Sequence, residues 1–157
     1  MHRSTSLSWP AGRLARAMLL AAGLTLAAAA AAPAASAAPA PTLIWDRGGG
    51  PTLTSWDFSA PANSAGVGFT FRVVNSSQSA SSALTITVTG SPAFTTQFDT
   101  CTGTSLSPGA FCLVFIQFSV PFPTTVGQTF SGTATARPAS QDRPAVKLAL
   151  TATITPP

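Results

Sequence analysis

The sequence predicts an all-β fold: an antiparallel sandwich of about seven to eight short strands behind a helical signal peptide. Three observations carry that expectation. Period-two alternation of apolar and polar residues recurs from Val67 to Ile154, broken by Gly, Pro, Ser and Asn clusters, and no helical periodicity follows the leader. Residues 1–37 have the three parts of a secretory signal. The two cysteines, Cys101 and Cys112, flank a Ser107-Pro108-Gly109 turn that opens onto an unbroken β-type run.

In the leader, Arg3, Arg13 and Arg16 make the positive region and Met18 to Ala32 the apolar region. Ala35-Ser36-Ala37 offers small residues where a signal peptidase reads. Cleavage is expected after Ala37, with a cut after Ala34 as the rival and retention as a membrane anchor as the alternative. Against the anchor, alanine is weakly apolar and the strong core is shorter than the ~20 residues a span needs. The exported product then has a Pro/Ala leader at 38–42 and a sandwich domain at 43–157. The chain's formal charge of +4 includes the three leader arginines. Downstream, Arg47, Arg72, Arg137, Arg143 and Lys147 stand against Asp46, Asp57, Asp99 and Asp142, five cations to four carboxylates, a net +1. No basic stripe remains to suggest nucleic acid. No second apolar stretch approaches a membrane span, so no integral membrane segment is expected after cleavage. The remaining chain of about 120 residues supports one domain.

The elements follow in order. Leu43 to Trp45 begins a strand that Asp46-Arg47-Gly48-Gly49-Gly50-Pro51 breaks. Leu53 to Phe58 is a second short strand and Ala60 to Ala65 a loop. Val67, Phe69, Phe71 and Val73 then alternate with Gly68, Thr70, Arg72 and Val74, which puts one greasy face on a strand. Asn75 to Ser82 reads as a polar turn. Leu84, Ile86 and Val88 alternate with three threonines until Gly90-Ser91-Pro92. Phe94 to Phe98 leads into the cysteine loop. After it, Cys112, Val114, Ile116 and Phe118 point one way and Phe111, Leu113, Phe115 and Gln117 the other, until Pro121 and Pro123. Gln128 to Ala136 is a strand, Arg137 to Pro144 a polar turn, and Val146 to Ile154 the last strand.

Little in this chain carries chemistry. His2, the sole histidine, lies in the leader, and Glu is absent, so the exported part has no imidazole base. Its serines lack the G-x-S-x-G setting. Asp46 and Asp57 could be read as a carboxylate pair for glycoside hydrolysis, or as turn residues. Gly48-Gly49-Gly50 lacks the Lys-Ser/Thr of a phosphate loop. No D-x-D-x-D spacing supports calcium, and two cysteines without a histidine partner do not complete a zinc shell. No catalytic residue, metal or cofactor is therefore expected. An exported chain with two cysteines usually pairs them, so a Cys101–Cys112 disulfide is expected, two free thiols being the alternative. Two binding features remain. Trp45 and Trp56 would make a stacking platform for sugars if exposed, or core if not. Phe111, Leu113 and Phe115 would make a partner patch if they face outward. A neighbouring loop, or the segment Trp45 to Phe58, could instead cover them.

The order Asn75, then Leu84 to Gly90, Phe94, Asp99-Thr100-Cys101-Thr102-Gly103, Leu106-Ser107-Pro108-Gly109, Cys112, Val114, Ile116, Phe118 and Gly127 resembles bacterial immunoglobulin-like modules of the Hydin-like or choice-of-anchor D type. The resemblance covers roughly Val67 to Ile154, and its cysteine segment is its most specific part. It implies an immunoglobulin-like β-sandwich, secreted or periplasmic. It also implies a structural or protein-interaction role, with an unidentified protein or surface polymer as partner and no catalytic residues. The alternative function is a small carbohydrate-binding module using Trp45 and Trp56. The chain departs from the family where Ser76-Ser77 follows Asn75, and where Leu113 and Phe115 occupy an outward face that is usually polar.

Overall fold

The computed structural model describes residues 42–140 and 144–157, so the expected signal peptide, most of the expected Pro/Ala leader and part of the expected Arg137–Pro144 turn lie outside the described residues. The described residues form nine strands: β1 (Leu43–Asp46), β2 (Ser55–Asp57), β3 (Ala60–Pro61), β4 (Gly66–Asn75), β5 (Leu84–Gly90), β6 (Phe94–Asp99), β7 (Phe111–Ser119), β8 (Thr129–Pro138) and β9 (Val146–Thr155). The four longest apolar alternations become β4, β5, β7 and β9, because an alternating strand can bury one face without stranding polar side chains. In β7 the buried set is Cys112, Val114, Ile116 and Phe118; in β9 it is Leu148, Leu150, Ala152 and Ile154.

One sheet has the order β1-β4-β7-β6 and is antiparallel throughout. The other has the order β2-β9-β8-β5, with β3 also on β9. Taking β1 and β4 to β9 as strands A to G, the sheets read A-B-E-D and G-F-C, the strand order of the immunoglobulin fold. Nine strands replace the expected seven to eight, and the sandwich is not purely antiparallel. After Asp46 the chain turns through Gly48 and Gly49 (φ +65° and +85°), a left-handed path that favours glycine. It then crosses to the second sheet, where β2 and β3 lie parallel to β9. The first strand is thus divided between the two sheets. Ala60–Pro61, expected as loop, pairs because Phe58 N–H donates to Thr151 O at 2.7 Å and Ala62 N–H to Thr155 O at 3.1 Å. Pro61 is tolerated there because β3 lies at an edge. Arg137 and Pro138, expected in a turn, complete β8 opposite Thr85 and Leu84.

The core is an aromatic chain laid against a shallow sheet. Phe58 stacks edge-on against Phe69 (5.3 Å) and Phe94 (5.5 Å), Phe94 meets Phe118 (5.2 Å), and Phe118 meets Phe130 (5.3 Å). The inward face of β8 offers Gly132, Ala134 and Ala136, which leave room for those rings; a Cβ on Gly132 would come within 3.0 Å of Phe94. Large residues facing small ones let the two layers interdigitate at close-packed density.

Cys101 and Cys112 are joined by a disulfide, with their Cα atoms 5.1 Å apart. The loop they close is held to both sheets. Asp99 Oδ1 accepts from the N–H groups of Cys101 (2.6 Å) and Thr102 (3.1 Å). Gly103 N–H donates to Leu84 O (2.8 Å), and Leu84 N–H to Thr104 O (3.0 Å), on the second sheet. Leu106 is buried and exchanges bonds with Ser81: Ser81 N–H donates to Leu106 O, and Leu106 N–H to Ser81 Oγ, both at 2.8 Å. Asn75, expected in a turn, is instead the buried last residue of β4.

Candidate interaction surface

The partner-patch residues fall on the outer face of the β1-β4-β7-β6 sheet. Cross-strand register arranges that face in rows. Ile44, Val74 and Phe111 form one; Asp46, Arg72 and Leu113 the next; Thr70, Phe115 and Phe98 the third. Phe111 is 50% exposed, and Leu113 and Phe115 are half-buried. The Phe115 ring lies over Gly68, where an added Cβ would stand 2.4 Å from its Cζ. A glycine in mid-strand thus gives the ring a backbone surface to lie on, and no covering strand is needed for that contact.

Phe98 extends the patch and was not legible as part of it. Phe94 and Phe98 are four residues apart, so a regular strand would put both rings inside. The register of β6 on β7 shifts between Thr96 and Phe98, which turns Phe98 outward opposite Phe115. Phe94 is 4% exposed and Phe98 54%.

Two arginines frame this face. Arg72 Nε and Nη2 each donate to one oxygen of Asp46 at 2.6 Å, a bidentate pair in which Asp46 is buried. The same guanidinium lies 4.6 Å from the Phe111 ring centre. The hydrogen bonds that Arg72 donates to Asp46, with a smaller contribution from the carboxylate charge, raise the Arg72 pKa above the ordinary arginine value against a partial desolvation that lowers it. Arg47 sits over the rings of Trp56 (4.9 Å) and Phe69 (4.7 Å) and has no acidic partner among the described residues. Between the arginines is a depression of about 420 Å³ lined by Gly68, Phe69, Thr70, Leu113 and Phe115.

The other sequence candidates land elsewhere. Trp45 is wholly buried, edge-on to Phe71, and its Nε1–H donates to Val146 O at 3.3 Å. It cannot stack on a sugar, which corrects its place in a two-ring platform. An indole between two sheets buries more apolar area than one at the rim, and the strand alternation of β1 sends it inward. Trp56 is half-buried, packs edge-on to Phe69 and Phe71, and carries Arg47 over its ring. Its Nε1–H is buried without a hydrogen-bond partner among the described residues. Of the two carboxylates considered for hydrolysis, Asp46 is engaged by Arg72, and Asp57 accepts from Ser59 N–H and Ser59 Oγ–H. Asn75 has both amide hydrogens donated, to Ser79 O (2.8 Å) and Leu106 O (2.9 Å).

No family model and no curated protein matches this sequence. Among solved structures, the chain is similar to the secreted serine protease VesC from Vibrio cholerae at 15% identity and a TM-score of 0.47, over 64% of this chain and 21% of that one. It is similar to the ASH / PapD-like domain of human CEP192 at 11% identity and a TM-score of 0.46, over 80% of this chain and 93% of that one. It is similar to the periplasmic chaperone SfaE at 13% identity and a TM-score of 0.46, over 72% and 58%. The chain spans about a fifth of VesC's length. The fold itself rests on the sheet order: an immunoglobulin-like β-sandwich.

Proposed function

We propose that this chain is an exported, non-catalytic immunoglobulin-like module of the Hydin-like or choice-of-anchor D kind. It docks a protein partner through the outer face of the β1-β4-β7-β6 sheet. The observation that carries this reading is the contiguous patch of Phe98, Phe115, Leu113 and Phe111, two of them at least half exposed. Apolar side chains of this size are costly to leave in water, about 1.5–3 kcal/mol each relative to burial, and a partner that covers them recovers that free energy. The disulfide supports an oxidising compartment and hence export. The expected partner surface is itself apolar at its centre, because aromatic anchors bind by filling pockets.

The test is site-specific photo-crosslinking in the native host. A crosslinker at Phe111 should give one discrete protein adduct that is lost in a Phe98→Ser background. The same probe at Thr87, on the outer face of the opposite sheet, should give none. Phe98→Ser should leave the melting temperature nearly unchanged. Equal adducts from both positions, or unfolding of Phe98→Ser, would show that this face is not a docking surface.

A further inference from the structure

β4 is paired along only part of its length on the side where β1 lies. The register there covers Arg72 to Asn75, and β1 ends at Asp46. Asn75 exchanges backbone bonds with Gly109 and Ala110 on the β7 side, at 2.8 and 2.9 Å. In an antiparallel strand successive residues aim their N–H and C=O groups to opposite sides. Phe69, Phe71 and Val73 therefore serve β7, while Arg72, Thr70 and Gly68 serve the β1 side. Arg72 meets Asp46 there. Thr70 and Gly68 meet no backbone partner among the described residues. The chain has turned away at Arg47–Gly50 and joined the other sheet, so the division of the first strand leaves this edge open.

The open edge coincides with the depression bounded by Arg47, Gly68, Thr70, Arg72 and Phe115. We propose that the Gly66–Phe71 edge of β4 takes an extended, acidic segment of a partner protein as an added strand. Backbone N–H and C=O groups of Thr70 and Gly68 would pair with it, the mode of recognition in which main-chain bonds give affinity and alternate side chains give selectivity. Side chains of the added strand would fall alternately beside the Phe115 ring, which lies across Gly68, and beside Arg47. The Arg47 guanidinium has no carboxylate of its own, whereas Arg72 is already neutralised by Asp46. That difference selects an acidic side chain at the Arg47 position. It also argues against a second copy of this chain, since edge-to-edge pairing of two β4 strands would bring two Arg47 charges together. The inference rests on the reading of the neighbouring outer face as a docking surface, and deepens it by naming the form and charge of what docks.

The experiment uses the exported protein and short synthetic Thr/Val-alternating peptides with a central Asp, Asn or Lys, plus an Asp peptide N-methylated at alternate backbone nitrogens. Binding is titrated by NMR, and amide hydrogen exchange is read at Gly68 and Thr70. The Asp peptide should slow exchange at both amides. The Lys and N-methylated peptides should bind roughly tenfold more weakly or worse. Arg47→Glu should invert the preference toward Lys; if that variant does not fold, the Asp/Lys comparison on the unaltered protein still decides. Absence of protection at millimolar Asp peptide overturns the inference, as does equal binding of the Lys peptide. Binding that N-methylation does not change but Phe98→Ser weakens removes the edge site while keeping the outer-face reading. Protection that appears without peptide and grows with protein concentration identifies a second copy as the occupant and also overturns it.

Discussion

Asn75 shows how much one polar side chain can hold in a fold with few charges. Its Nδ2 supplies both hydrogens to backbone oxygens of two different loops, and its Oδ1 accepts from Ser77 N–H and Ser77 Oγ–H at 3.2 and 2.8 Å. It is fully buried, so its amide group is satisfied by these bonds within the protein. Asn75→Ala would remove the Nδ2 bonds to Leu106 O and Ser79 O, which keep Ser81 N–H and Ser77 Oγ–H as donors, and would leave a small void. The expected loss is about 1–3 kcal/mol in urea unfolding, since each lost hydrogen bond contributes about 0.5–1.5 kcal/mol net and the bonds share one site. A loss below half a kcal/mol would mean that the two loops hold each other without it. The sequence offered Asn75 as a turn residue because an Asn before two serines reads that way locally. Its partner Leu106 is 31 residues downstream, and no local pattern reports a partner at that distance.

At the scale of elements, the strands that carry their own two-faced pattern were legible: β4, β5, β7 and β9 each alternate, and each lies where the alternation puts it. Elements defined by a neighbour were not. β3 has two residues and exists because β9 supplies acceptors beside it. The outward turn of Phe98 depends on a register shift against β7, which nothing within β6 announces. The face of β7 was legible as Phe111, Leu113 and Phe115, but the ring of Phe115 over Gly68 needs the registration of two strands to be known. Around the disulfide loop the two sources agree, because pairing of the only two cysteines downstream of the leader needs no tertiary information. Replacing Cys101 and Cys112 together by Ser should cost about 2–3 kcal/mol in chemical unfolding, the loop-closure entropy returned to the unfolded chain. The far-UV circular dichroism should stay unchanged, because the loop remains bonded to Leu84 and Ser81. Loss of the β-sheet spectrum in the double variant would mean that the bridge is needed to assemble the sandwich.

For the molecule as a whole, the proposed role is contact and not catalysis. Asp46 and Asp57 are held by neighbours, and no histidine or glutamate exists downstream of the leader. Screens for peptidase and glycosidase turnover with the purified exported protein should therefore be blank; activity that survives purification and vanishes with Asp57→Asn would overturn the non-catalytic proposal. The division of the first strand has a further consequence, for mechanical load. β2 and β3 run parallel to β9, the last strand, from Ser55 opposite Ala149 to Pro61 opposite Thr155. A pull between the two ends of the domain drags these strands in opposite directions along their own axes. The bonds between them are then strained together in shear, not opened one after another as in a zipper. A surface-held partner tugging on this module would meet its stiffest response along that line.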